Sequence, residues 1–188
     1  MNLKLSSKEG KYGYVDESGK WIIPPTFDEA RNFREGVACV KINCKYGYIR
    51  EDGSFRIPPI FDNARSFWGD RASVAIDGKY GYIDPDGKYV VFPIFEKVGD
   101  FMYREYACIT LNGKMGWIKK DGSYLVEPSY DDTFHHTTWI EVYNDGKYGV
   151  LNADGEVLAP CAFDQIGKSK ENDDIYVKSG DDWFKIQL

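Results

Sequence analysis

Apolar and polar residues alternate along this chain in short runs, the signature of half-buried strands. Ala38-Cys39-Val40-Lys41-Ile42 and Ala72-Ser73-Val74-Ala75-Ile76 are two such runs. They end in turn dipeptides, Asn43-Cys44 and Asp77-Gly78, with Asn112-Gly113 and Asp145-Gly146 further on. Asp-Gly and Asn-Gly favour type I′ turns, whose two central residues need positive φ. A second run follows each turn, built on Lys-x-Gly and a mostly aromatic residue. It appears as Lys11-Tyr12-Gly13-Tyr14, Lys45-Tyr46-Gly47-Tyr48, Lys79-Tyr80-Gly81-Tyr82, Lys114-Met115-Gly116-Trp117 and Lys147-Tyr148-Gly149-Val150. The glycines stand 34, 34, 35 and 33 residues apart. A worn sixth copy, Asp182-Trp183-Phe184-Lys185, has lost the glycine.

Each unit predicts three strands. The Lys-Tyr-Gly-Tyr-Ile strand has both faces occupied and belongs in the middle. Its glycine weakens a strand unless something lies close over it, and an overlying aromatic is expected there. A turn such as Asp84-Pro85-Asp86-Gly87 leads to the third strand. That turn suits a type I hairpin with a left-handed glycine; its acids lack the full calcium-loop spacing. The third strand, Lys88 to Phe92, is expected to stop at Pro93, or to run at an edge, because proline donates nothing to a ladder. The connectors Phe27–Phe33, Phe61–Phe67 and Phe95–Phe101 fit a helix, a turn or an irregular strand.

The fold class is therefore all-β, a tandem array of three-stranded antiparallel units of about 34 residues. The units fall at 1–33, 34–67, 68–101, 102–136 and 137–170 of one repeat domain over 1–188, with a capping hairpin at 171–188. Leu3-Lys4-Leu5 serves as the first strand of unit one, reached through a longer turn. The incomplete final hairpin favours an open, twisted stack; the alternative is a five-bladed β-propeller.

The pattern Gly-Lys-x-Gly-[Tyr/Trp]-[Ile/Val], with a later Gly and a closing Pro-x-[Phe/Tyr]-Asp, resembles the WG repeat family of bacterial proteins. The resemblance covers about residues 9 to 166. Tyrosine or methionine usually stands here where the name has tryptophan. The resemblance implies an all-β bacterial repeat protein with a binding or scaffold role and no shared catalytic motif.

Composition narrows the partners. Thirty acidic side chains against 24 basic ones give a net charge of −6, a poor match for nucleic acid or an anionic membrane. The first residues, Met1 to Gly10, hold no apolar signal core, and no apolar run is long enough to span a bilayer. Four cysteines form no Cys-x-x-Cys pair. Cys39, Ser73 and Cys108 share one small-residue slot. These points predict a cytoplasmic protein with free thiols.

Chemistry is sparse. The two histidines, His135 and His136, are adjacent, so on a strand they point to opposite faces. No nucleophile elbow, zinc helix motif or phosphate loop occurs. A glycosidase-like carboxylate pair is the residual enzymatic option. No cofactor is expected. The residues that break the repeat carry the site prediction: in the loop after the connector, Trp68, Met102, Tyr103 and Trp139 place large apolar groups in three successive units, where unit one has the polar Arg34-Glu35-Gly36-Val37. With His135 and His136, they form the expected partner-binding set. The predicted function is a non-catalytic protein-binding or scaffold module, one form of which is an inhibitor or immunity protein for a toxin. The alternative is a carbohydrate or cell-wall binding repeat protein.

Overall fold

The computed structural model describes residues 3–101, 105–169 and 174–187. Among them there is no helix. Among the described residues, six antiparallel sheets of three or four strands follow one another in chain order, and none closes on itself. The residues group into two units: those up to 107 with 120–122, and 108–119 with those from 123 on.

In the first unit, Lys4–Lys8, Lys11–Val15 and Trp21–Phe27 form the first sheet. The second orders Glu29–Ala30, Ala38–Ile42, Lys45–Ile49 and Phe55–Phe61. The third orders Asn63–Ala64, Ala72–Ile76, Lys79–Ile83 and Tyr89–Phe95. In the second unit, Lys114–Lys119 pairs with Tyr124–Tyr130. The fifth sheet orders Asp132–His135, Trp139–Asn144, Lys147–Asn152 and Val157–Phe163. The sixth holds Gln165–Lys168, Ile175–Ser179 and Asp182–Ile186.

The Lys-x-Gly strand lies inside each of the first, second, third and fifth sheets, as its two occupied faces require. The connector is a short strand, and it pairs with the sheet that follows it: Glu29 stands opposite Lys41 and Ala30 opposite Val40. The first strand begins at Lys4 and turns tightly at Glu9-Gly10, where a longer turn is expected from sequence. Asp77 and Gly78, like Asn112 and Gly113, have positive φ at both positions, as type I′ turns need. In the Asp16 turn the carboxylate Oδ1 accepts the backbone N–H groups of Ser18 and Lys20, at 2.9 and 3.0 Å. The turn acids thus cap their own backbone.

Two expectations need correction. For the third strand, the stop at proline fails and the edge position holds: Tyr89–Phe95 runs through Pro93 and Phe55–Phe61 through Pro58 and Pro59. It can do so because it is an edge strand and because it bulges there. Tyr46 faces Phe61 and Tyr48 faces Ile57, so two steps on one strand match four on the other. The second correction follows from this bulge. No aromatic covers the strand glycine; the bulged backbone does. A Cβ on Gly47 would lie 2.7 Å from the Ile57 carbonyl oxygen and 2.8 Å from the Pro58 carbonyl carbon.

The second aromatic of the motif goes inward. Tyr14, Tyr48 and Tyr82 are fully buried. Their hydroxyls donate to the carbonyls of Arg31, Arg65 and Gly99 at 2.6, 2.7 and 2.8 Å. Their rings meet Phe33, Phe67 and Phe101 at 4.7 to 5.0 Å between centroids. Each central strand is thereby tied to its own connector by an apolar contact and a satisfied polar tip. The four cysteines are free; burial pushes the Cys39 thiol up to about 12, and Cys44 is exposed in its turn.

The motif lysine and the closing aspartate make a clamp. Lys11 pairs with Asp28, Lys45 with Asp62, Lys114 with Asp131 and Lys147 with Asp164. The other oxygen of each acid accepts a turn N–H further along the chain: Asn43 at 3.1 Å, Asp77 at 2.8 Å, Asp145 at 2.9 Å and Gly180 at 2.9 Å. Hydrogen bonding to the lysine, first of all, holds these four carboxyls below the ordinary carboxylate range. A carboxyl depressed in the folded state stabilises above its unfolded value of about 3.9, and that contribution is lost as pH falls through the folded value. The melting temperature should therefore be level near neutrality and fall below about pH 4. Asp62→Asn should lower it at neutral pH and make the acid fall shallower; thermal melts of both proteins from pH 3 to 7 check this.

Candidate functional site

The four-residue turns after the connectors are the places where the repeats differ most. Arg34 and Val37 bridge the first such turn, and Trp68 and Arg71 the second. Glu35, Gly36, Gly69 and Asp70 at their tips all have positive φ. The Arg34 guanidinium lies 3.9 Å over the Trp68 ring, a cation–π contact. Glu35 reaches the next tip, where its carboxylate accepts Gly69 N–H at 2.8 Å and Asp70 N–H at 3.0 Å. Arg71 Nε donates to the Lys120 carbonyl at 2.7 Å, and Lys120 Nζ pairs with Glu105 at 2.8 Å. An open recess of about 550 Å³ remains beside Trp68, Phe101 and Lys120. Trp68 is half-buried under its arginine. Met102 and Tyr103, the next members of the expected stripe, lie outside the described residues.

In the second unit the expected set divides. His135 takes the connector phenylalanine slot; it is buried with its ring edge-on to Trp117 at 5.3 Å. His136 donates its N–H to the Trp139 carbonyl at 2.9 Å, the bond that Trp68 makes to Arg71 at the earlier turn. The counterpart of Trp68 is therefore His136, and Trp139 stands where Arg71 does. Trp139 does not belong to an exposed stripe. It is 3% exposed and packs with Val150, Ala159, Ile175 and Val177. The same slot is buried in the second sheet, where Val37 packs in the cluster of Tyr48; in the fifth sheet Val150 holds the tyrosine's place and the Trp139 indole packs beside it. His136 stacks on the indole at 3.7 Å.

The same copy carries an acidic and aromatic recess. Asp132, Phe134, Glu141, Tyr143 and Tyr148 share one face of the fifth sheet, since Asp132 faces Tyr143, Phe134 faces Glu141 and Tyr143 faces Tyr148. With Thr133 they line about 170 Å³. Phe134 is 62% exposed. The two tyrosine rings are 4.9 Å apart. Glu141 lies 3.4 Å from His136 Nε2. Glu141 occupies the small-residue slot of Cys39 and Ser73, a substitution visible in the sequence once the strands are aligned. Among the described residues no cluster of three or more His, Cys, Asp and Glu is arranged to hold a metal.

One surface escapes the sequence reading altogether. On the third strands of the first unit, Pro58 and Ile60 point outward, and so do Phe92 and Ile94. Phe92 is 68% exposed, Ile60 53% and Ile94 44%. The turn before the second of these strands reaches the first, with Asp86 pairing with Arg56 at 3.3 Å. The signal was present as apolar residues two apart, at 58 and 60 and at 92 and 94. It was hidden by the assumption that the strand ends at proline.

Four stretches of the chain, residues 12–46, 46–80, 80–114 and 148–178, match the family described as WG containing repeat. The chain belongs to the WG-containing-repeat family. The WG matches pass over residues 115–147, the copy in which Glu141 and the two histidines sit. No curated protein matches the chain in sequence. Among solved structures, PorZ of Porphyromonas gingivalis, an essential bacterial surface component of the type-IX secretion system, aligns at 11% identity and a TM-score of 0.43. That alignment covers 99% of this WG-repeat chain and 32% of PorZ. Hsv2 of Kluyveromyces lactis aligns at 10% identity and a TM-score of 0.39, over 76% of this chain and 53% of that one. The WG-repeat chain thus spans about a third of PorZ and half of Hsv2.

Proposed function

We propose that this chain is a non-catalytic module that binds another protein in the cytoplasm of a bacterial cell. The observation that carries the reading is the outward row Pro58, Ile60, Phe92 and Ile94. Ile60, Phe92 and Ile94 are exposed, with Phe92 stacked on Tyr89 at 5.0 Å, and exposed apolar groups on an edge strand are what a partner covers. Repeat arrays that lack a catalytic constellation commonly serve as such surfaces. The particular form we favour is an inhibitor or immunity protein that holds a toxin, and the net charge of −6 suits a basic one.

Phe92→Asp and Ile60→Asp test the reading. The immobilised wild-type protein should retain a defined protein from the host lysate. Each variant should weaken that capture by about 30-fold, which corresponds to about 2 kcal/mol for a buried anchor. The melting temperature should hold for Ile60→Asp, whose side chain is exposed, and fall slightly for Phe92→Asp, which loses its stack on Tyr89. Unchanged capture by both variants removes this row as the binding surface.

A further inference from the structure

We propose that the recess on the fifth sheet seats a cationic side chain, a lysine ammonium or an arginine guanidinium, presented by a bound protein. This deepens the protein-binding reading and rests on it for the source of the cation.

The molecule supplies its own comparison. In the second sheet the place of Asp132 is held by Glu29, that of Tyr143 by Lys41 and that of Tyr148 by Tyr46. The ladders fix these equivalences, since Glu29 faces Lys41 and Lys41 faces Tyr46 as Asp132 faces Tyr143 and Tyr143 faces Tyr148. There the lysine fills the position. Its Nζ pairs with Glu29 at 2.8 Å and lies 5.1 Å from the centre of the Tyr46 ring. Tyr46 also donates its hydroxyl to Glu29 at 2.6 Å. A carboxylate and a tyrosine face hold an ammonium between them, within one chain.

In the fifth sheet the cations are gone while the acceptors stay. Lys41 becomes Tyr143, and Arg31, two residues beyond Glu29 on the connector, becomes Phe134. Asp132 keeps the carboxylate. Glu141 adds a second one in the slot of Cys39. Among the described residues neither acid pairs with a lysine or arginine; the ion partner of Glu141 is His136, charged only when protonated. Asp132 accepts the N–H of Thr133 at 2.8 Å through one oxygen. Three rings and two carboxylates thus surround a space of about 170 Å³. Aromatic faces attract cations, most strongly where water is partly excluded. The size fits the end of one long side chain and falls below the several hundred Å³ typical of small-molecule pockets. A disaccharide would not fit within it.

The test needs no identified partner. The tripeptide acetyl-Gly-Lys-Gly-amide is titrated into the full chain while backbone amide shifts are followed by NMR. The amides of residues 132–134, 141–143 and 148 should move together with millimolar affinity. The same peptide with its lysine acetylated, which removes the charge, should leave them still; the arginine peptide tells which cation is preferred. Asp132→Asn with Glu141→Gln should weaken binding at least fivefold. Tyr143→Lys, which restores the internal cation seen at Lys41, should abolish it in a folded protein. Glu29→Gln should change nothing at the recess. Equal shifts with the acetylated peptide, shifts scattered over acidic residues elsewhere, or shifts produced instead by N-acetylglucosamine oligomers overturn the assignment. Failure here leaves the Phe92 and Ile60 row intact, and failure of that row leaves the recess titration intact.

Discussion

Gly47→Ala should lose about 3 kcal/mol of folding free energy, at the upper end of overpacking costs. The added methyl would meet main chain: the Ile57 carbonyl and the Pro58–Pro59 peptide, all within 2.8 Å. Main chain cannot rotate out of the way as a flexible side chain does. The loss should be graded along the repeats. At Gly149 the nearest atoms are 2.9 to 3.0 Å away, and one of them is the Cys161 sulfur. Gly149→Ala should therefore cost clearly less than Gly47→Ala. Urea unfolding of the two variants, each read in the unit that carries it, checks both the size and the order. Equal and small losses would contradict the close approach of the bulge.

Trp139→Ala should cost about 3–5 kcal/mol, the range for removing a large aromatic from a core. The indole is buried among Val150, Ala159, Ile175 and Val177, and it supports the stacked His136. The contrast is Trp68→Ala, where the ring is half-buried and capped by Arg34. That change should cost about 1 kcal/mol, within the usual range for a cation–π contact with modest burial. Thermal and urea unfolding of the two variants separates a core indole from a surface one. If Trp139→Ala left stability unchanged, its place in the cluster would be wrong.

Most of the fold was legible because the repeat states it five times. The type I′ turns at Asp77-Gly78 and Asn112-Gly113, the central place of the Lys-x-Gly strand and the all-β class follow from local chemistry. The misreadings share one cause. Proline was read as a stop or an edge marker; the edge holds, but the bulge at Pro58-Pro59 that carries the strand through went unseen. With it went the backbone that covers Gly47 and the outward row of Ile60, Phe92 and Ile94. A bulge is a relation between two strands, and its register does not show in either strand alone. Trp139 was misplaced for a related reason. It was read with Trp68 as part of one loop stripe, whereas the hydrogen bond from His136 shows which residue holds which corner. The recess on the fifth sheet was hidden differently. Glu141, Tyr143 and Phe134 look like scattered substitutions until the ladders show that all three fall on one face.

The clamp also fixes where the chain can change length. Lysine and acid stand 17 residues apart in all five copies, from Lys11 and Asp28 to Lys147 and Asp164. The buried tyrosine hydroxyls reach their carbonyls across the same 17 residues. The distance from that acid to the next lysine varies instead: 17 residues after Asp62, 18 after Glu96 and 16 after Asp131. Insertion and deletion are thus confined to one half of each period, the half that contains the exposed turn after the connector. A grafted loop placed between Glu35 and Gly36 would leave every lysine-to-acid distance as it was. Changes of length and the fixed lysine-to-acid span thus occupy separate stretches of the same repeat.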